Sequence, residues 1–196
     1  KIVNGLVLKV GVKFTDYLAG EQMKKIEKIY SDLQIQRNLL SIPSVLPVKD
    51  LSVTQTGAGT GKKIHPFYKT MSDHTGLDLL PGVGAEVVAT ANGTVSKLIK
   101  SDRDRGNQIR INHGNGYETY YAHLGDIFVR EGQVVQRGSV IARVGNSGLS
   151  FAPHLHYEVI YNGKIMDPVN YFFAELNPGS YKEMMLIALN SGQSMD

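Results

Sequence analysis

The chain has 196 residues, 42% of them hydrophobic and 20% charged, with a formal net charge of +3. That balance belongs to a globular protein of one or two small domains, and the basicity is too slight to argue for a nucleic-acid partner. Cysteine is absent, which excludes disulfides and thiolate zinc sites and leaves His, Asp and Glu to hold any metal.

No apolar run reaches the length of a bilayer span. The chain begins at Lys1 rather than Met, which is compatible with removal of an upstream signal or anchor. Residues 1–14 are apolar with partial alternation and read as a short strand or packed arm. From Thr15 onward Leu18, Ile26, Ile29, Tyr30, Leu33 and Leu40 recur near helical spacing among charged residues, predicting an amphipathic helix over about 17–41. Pro43 ends it, because proline disfavours helix at the residue before it. Residues 42–50 (IPSVLPVKD) read as an extended linker, so 1–50 form an N-terminal arm, helix and linker. The glycines of 54–61 (TQTGAGTG) fit neither a P-loop nor a dinucleotide fingerprint and read as a loop.

From about residue 85 the pattern becomes strand after strand. Segments 86–91, 94–100, 108–112, 118–123, 139–144, 155–161 and 164–166 carry β-branched or aromatic residues, with glycines between them. The expectation is a mainly β fold, an antiparallel β-sandwich or barrel-like domain over 51–171. Segments 84–89 (GAEVVA) and 138–143 (GSVIAR) look weakly alike. Beyond residue 171 the chain turns apolar and helical, predicting two short helices divided at Asn177-Pro178-Gly179 within a 172–196 extension. The polar tail 191–196 is expected to fray.

The chemistry concentrates in three segments. In Pro153-His154-Leu155-His156-Tyr157-Glu158-Val159 the run alternates, so a strand would send His154 and His156 to one face and Leu155 and Tyr157 to the other. In His74-Thr75-Gly76-Leu77-Asp78, Gly76 argues against a helix and for an extended or turning segment, with the Asp on the following strand. Tyr120-Tyr121-Ala122-His123-Leu124 closes an apolar strand on a histidine. Each segment alone is more economically a pair of surface residues or an ordinary strand end. Together they supply four imidazoles and a carboxylate. Two imidazoles and one carboxylate make a three-ligand site with a position left for water, and the spare histidines can handle a proton and an oxyanion.

His74-x-x-x-Asp78, Tyr121-Ala122-His123-Leu124 and His154-Leu155-His156 resemble the signature of the LytM/lysostaphin-type metallopeptidases. Gly61-Lys62-Lys63-Ile64-His65-Pro66, Gly132–Gly138 (GQVVQRG) and Gly145-Asn146-Ser147-Gly148 are similar to further segments of that family, and the match spans about 55–170. The resemblance implies a zinc endopeptidase that cuts peptide stems or cross-bridges of bacterial peptidoglycan, in the bacterial cell envelope. It implies that His74, Asp78 and His156 hold Zn2+ and that His123 and His154 are catalytic. Lys63 stands where relatives often have arginine, and Tyr68 lies where some carry an active-site tyrosine.

Three other readings compete. A non-catalytic activator of other wall hydrolases would have lost ligands, and all three are here. A biotin- or lipoyl-type carrier, suggested by 131–145, needs a modifiable lysine at a hairpin tip, which is lacking, and leaves the histidines unexplained. A structural zinc site is normally closed by four protein ligands. The amphipathic arm 1–50 lies outside the resemblance, and the expectation is that it gates the groove or meets a regulatory protein partner.

Overall fold

In the computed structural model, residues 35–196 are described. The arm 1–14, the predicted helix before residue 35, and the gating and partner-binding roles assigned to them lie outside the described residues. The end of that helix is present as α1, Ile35–Leu40. Residues 40–196 form a single compact unit. The 42–50 stretch is bent at several points and turns at Lys49 and Asp50, and it is part of this unit. Ile42, Leu46 and Val48 are buried, and Val48 bridges to Val87.

Eleven strands follow in the described residues: β1 (Gly61–Ile64), β2 (Met71–His74), β3 (Leu77–Leu79), β4 (Glu86–Val88), β5 (Gly93–Ile99), β6 (Asn107–Gly114), β7 (Tyr117–Ile127), β8 (Val134–Val135), β9 (Val140–Val144), β10 (Leu155–Tyr161) and β11 (Lys164–Met166). All pair antiparallel. The main sheet runs β11-β10-β7-β6-β5-β8, with β3 added to β10 and with β9 joining β7 to β4. β1 and β2 form a separate hairpin. The mainly β expectation holds, but strands begin at residue 61 rather than 85. The two look-alike segments prove to be pairing partners, Glu86 opposite Arg143 and Val87 opposite Ala142.

The core lies on one face of the main sheet. Alternation on β10 sends Leu155, Tyr157 and Val159 into it, beside Tyr121 of β7 and Ile109 and Ile111 of β6. Tyr121 and Tyr157 pack as tilted rings 5.2 Å apart; the Tyr157 hydroxyl donates to Thr90 Oγ1 at 2.9 Å and the Tyr121 hydroxyl accepts from Thr90 N, so their polar ends are satisfied. Phe172 and Met184 close the core from the C-terminal side.

That side differs from expectation. A 3-10 turn (Pro168–Tyr171) and a bonded loop precede one helix, α2 (Pro178–Asn190), in place of two short helices. Asn177 caps α2 by accepting from Ser180 N, and Pro178 occupies the first turn, where its missing N–H costs nothing. At the other end the buried Lys63 Nζ donates to the carbonyls of Ala188 (3.0 Å) and Ser191 (2.7 Å), a cation on the negative end of the helix dipole. The tail 191–196 does not fray: Ser194 is buried, and the segment lies along β1.

Candidate metal centre

Strand register builds the centre. His156 of β10 stands opposite Asp78 of β3 on one side and Ala122 of β7 on the other. β2 ends at His74, and the turn through Thr75 and Gly76 brings the chain back as β3. A Cβ on Gly76 would lie 2.7 Å from His156 Nε2 and 2.5 Å from Tyr157 O, so only glycine lets that turn pass beneath the His156 ring. The residue that argued against a helix is therefore required by packing.

Three buried atoms meet there. His74 Nε2 is 3.0 Å from Asp78 Oδ1, His156 Nδ1 is 3.1 Å from the same oxygen, and the two nitrogens are 3.1 Å apart. The second nitrogen of each ring is committed elsewhere. His74 Nδ1 donates to Gly59 O at 2.9 Å, and His156 Nε2 donates to Glu158 Oε1 at 3.1 Å. These outer bonds fix the tautomers and turn both free lone pairs inward. Glu158 is itself held by the Thr75 hydroxyl and lies 3.7 Å from Arg105. Two lone pairs and a carboxylate oxygen this close need a cation between them. Tetrahedral zinc with bonds of about 2.0–2.1 Å separates its ligand atoms by about 3.3 Å, so the donor set fits such an ion.

His123 and His154 lie beside this triangle with rings 4.5 Å apart. His154 precedes β10, and its Nε2 is 3.7 Å from Asp78 Oδ1. His154 Nδ1 donates to Ala152 O (2.9 Å) and His123 Nδ1 donates to Ser147 O (2.8 Å), which leaves Nε2 of each as an acceptor. His123 reaches the cleft by breaking alternation. Tyr121 faces the core, and a regular strand would send His123 to the same face. Instead its φ is +57°, and its ring turns to the site.

Four buried side-chain atoms lack a hydrogen-bond partner among the described residues: His123 Nε2, His154 Nε2, Arg105 Nη1 and Asp196 Oδ1. Asp196 Oδ2 is 3.0 Å from Arg105 Nη1 and 3.6 Å from His123 Nε2, while Oδ1 is 3.5 Å from His74 Nε2. Unsatisfied buried polar atoms are rare, and four facing one cleft mark a place where further ligands belong. The charges follow the geometry. Burial alone would depress His74, but the carboxylates of Asp196 and Asp78 outweigh it and hold the ring up at about 10, so they favour a proton on Nε2 that a metal bound there would displace. Burial, against the pull of Asp78 and with a push from His123, holds His154 down at about 4. Asp78 lies well below the usual carboxylate range: burial opposes this, and the bonds from His156 and His74 overcome it.

All five sequence-predicted residues, His74, Asp78, His123, His154 and His156, thus share one cleft. Sequence reasoning missed Glu158, Arg105 and Asp196. Glu158 could have been found, since it follows His156 by two on the same strand face. Tyr68 is 68% exposed and stacks on His65 at 4.5 Å.

Comparison with known proteins fits this geometry. Residues 72–168 match peptidase family M23. The catalytic domain of lysostaphin from Staphylococcus simulans superposes with a TM-score of 0.54 at 30% identity, covering 60% of this chain and 90% of that domain. The chain belongs to peptidase family M23. A zinc-containing peptidase from Vibrio cholerae superposes with a TM-score of 0.57 at 36% identity, over 63% of this chain and 38% of that one. Among curated M23 relatives, the peptidoglycan DD-endopeptidase ShyA of Vibrio cholerae is 39% identical over 56% of this chain and 24% of its own length. The murein hydrolase activator NlpD of Salmonella dublin is 38% identical over 57% of this chain and 29% of its own. The chain thus spans about a quarter of the length of these curated relatives.

Proposed function

We propose that this M23 chain is a zinc-dependent endopeptidase that hydrolyses peptide cross-links of bacterial peptidoglycan in the cell envelope. The observation that carries the reading is the triangle of His74 Nε2, Asp78 Oδ1 and His156 Nδ1, with two further imidazoles presenting free Nε2 atoms to the same cleft. His74, Asp78 and His156 hold the metal. When bound, zinc supplies a Lewis acid and an ionisable water near neutral pH.

The remaining steps belong to the chain. Glu158 and Gly59 O lock the two ligand rings, so no rotamer search precedes binding. Burial keeps His154 neutral, and its Nε2 accepts the proton of the attacking water. From that atom the proton passes to the leaving amine. His123 Nε2, across the stacked pair, donates to the developing oxyanion when it carries a proton. These two roles are interchangeable by geometry.

The match to NlpD raises the activator reading, in which the fold binds wall material without cutting it. An activator has no need of metal, and the complete ligand set favours hydrolysis. Zinc content and wall-peptide release, with and without chelator, separate the two. The expected result is stoichiometric zinc and chelator-sensitive release of cross-link fragments, and mass spectrometry of the digest identifies the bond. Zinc retained in full by a His156→Ala protein would overturn the ligand assignment.

A further inference from the structure

The hydrolytic reading leaves two groups of the cleft without a part, Arg105 and Asp196, and the two are paired at 3.0 Å. That carboxylate is not a stray side chain. The segment carrying it is bonded along its length. Ile64 N donates to Gly192 O at 2.9 Å, and Ser194 N donates back to Ile64 O at 3.2 Å, a parallel bridge centred on Gln193. Met195 N donates to Asp78 Oδ2 at 2.9 Å, and Phe151 N donates to Met195 O at 2.8 Å. The Ser194 hydroxyl donates to Asp196 O at 2.7 Å. Lys63 fixes the start of the segment through Ser191 O.

These bonds deliver the Asp196 side chain into the cleft at 8% exposure. Its Oδ1 faces His74 Nε2 on the ligand side. Its Oδ2 is 3.6 Å from both His156 Nδ1 and His123 Nε2, and 3.0 Å from Arg105 Nη1. The carboxylate therefore spans the gap between the ligand triangle and the histidine pair, where an attacking water and a scissile carbonyl must sit. Burying a carboxylate is costly unless a cation compensates it. Arg105 is one cation, yet Oδ1 still has no hydrogen-bond donor. A buried carboxylate with one oxygen 3.5 Å from His74 Nε2 and the other 3.6 Å from His156 Nδ1 is placed as a fourth metal ligand would be. Asp196, His74, Asp78 and His156 have one donor atom each within 4.8 Å of one another.

We propose that residues 191–196 are a resident occupant of the hydrolytic centre: Asp196 takes the metal's open position, and the chain in this conformation is latent until the segment leaves. A site closed by four protein ligands has the character of a structural one, and removing the fourth restores the open position that hydrolysis requires. The latency rests on the endopeptidase reading, while the coordination does not.

The test is Asp196→Ala in the full chain, read in three ways. Zinc affinity by chelator competition is expected to fall about tenfold. The visible absorption of the cobalt-loaded protein is expected to change as a protein carboxylate is replaced by water. Hydrolysis of wall peptides is expected to rise at least tenfold. Ser194→Pro, which removes the N–H given to Ile64 O and the hydroxyl given to Asp196 O but changes no metal-facing side chain chemically, is expected to release the segment and reproduce all three. Unchanged zinc affinity with an unchanged cobalt spectrum in Asp196→Ala overturns the proposal, whatever the activity does. Shifted coordination with unchanged hydrolysis in a chain that does cleave wall peptides overturns the latency. If coordination shifts while neither protein cleaves wall peptides, the occupant stands and the endopeptidase reading is what fails.

Discussion

β10 and β7 lie side by side and deliver histidines to one cleft by opposite means. β10 relies on regularity. Its period of two sends His156 and Glu158 to the site and Leu155, Tyr157 and Val159 to the core, so the proposed ligand and its orienting carboxylate come from one strand without positive φ. β7 relies on an exception. His123 adopts a left-handed φ that costs a non-glycine residue of the order of 1–3 kcal/mol, and three bonds hold it there. Its N–H donates to Arg105 O, its carbonyl accepts from Gly145 N, and its ring donates to Ser147 O. The difference separates two tasks. In the proposed centre, fixed ligands can ride on a regular lattice, whereas a group that must approach the lattice from beside it has to be re-aimed, and the surrounding fold bears the strain.

Substitutions on the two strands separate these tasks. His156→Ala should lose both metal and turnover, the latter by at least about 10³-fold, while His154→Ala should retain zinc and lose most turnover. Metal analysis beside initial rates checks the pair. At His123, asparagine tolerates the left-handed backbone and valine does not. Both variants should lose about 10²-fold in rate, but His123→Val should also unfold about 1–2 kcal/mol more easily than His123→Asn in urea. Equal stabilities would remove the strain from the account. On β10, Glu158→Gln should weaken zinc about 10–100-fold with little change in melting, because it loosens the orientation of His156 and leaves the strand intact. Isothermal titration with zinc reads it directly.

The smallest effect should come from a histidine on the next strand. His113 of β6 is buried, donates from Nδ1 to Asn92 O, and pairs with the Thr119 hydroxyl, away from the cleft. Burial, only partly offset by the bond to Asn92, holds its pKa down at about 4 against 6.5 for an exposed ring. Between those values the unfolded chain binds the proton and the folded one refuses it. Folding therefore loses stability as pH falls from about 6.5 to about 4, by about 3 kcal/mol over the window, and no more below it. His113→Gln should flatten that slope in denaturant titrations and leave hydrolysis at neutral pH unchanged.

What the sequence disclosed follows the same division. β10 and the strands from β5 onward carry β-branched, alternating runs, and their period of two is readable without neighbours. β1 (GKKI), β2 (MSDH) and β3 (LDL) are three or four residues long and hold a single β-branched residue, Ile64, so their pairing is decided by contacts with other segments rather than by propensity. The aim of His123 was not legible, because nothing in Tyr-Ala-His-Leu signals a positive φ. The segment 191–196 (SGQSMD) lacks periodicity and apolar mass, so it read as a frayed end. Its docking depends on contacts such as Met195 to Asp78, 117 residues apart, that no local pattern encodes.

The hairpin of β1 and β2 carries one more consequence. Two strands have two open edges, and an open edge is a template for unwanted pairing with another chain. Here 192–194 lies along part of one edge and occupies both the N–H and the C=O of Ile64. The Ile64 side chain is 40% exposed, and Met71 and Phe67 nearby in sequence are also exposed. Any variant that releases the segment therefore bares a sticky strand, guarded by the exposed Lys62–Asp73 pair on the hairpin and Lys69 in its connection. An unmasked protein should be handled dilute, and its light scattering should be followed beside its rate.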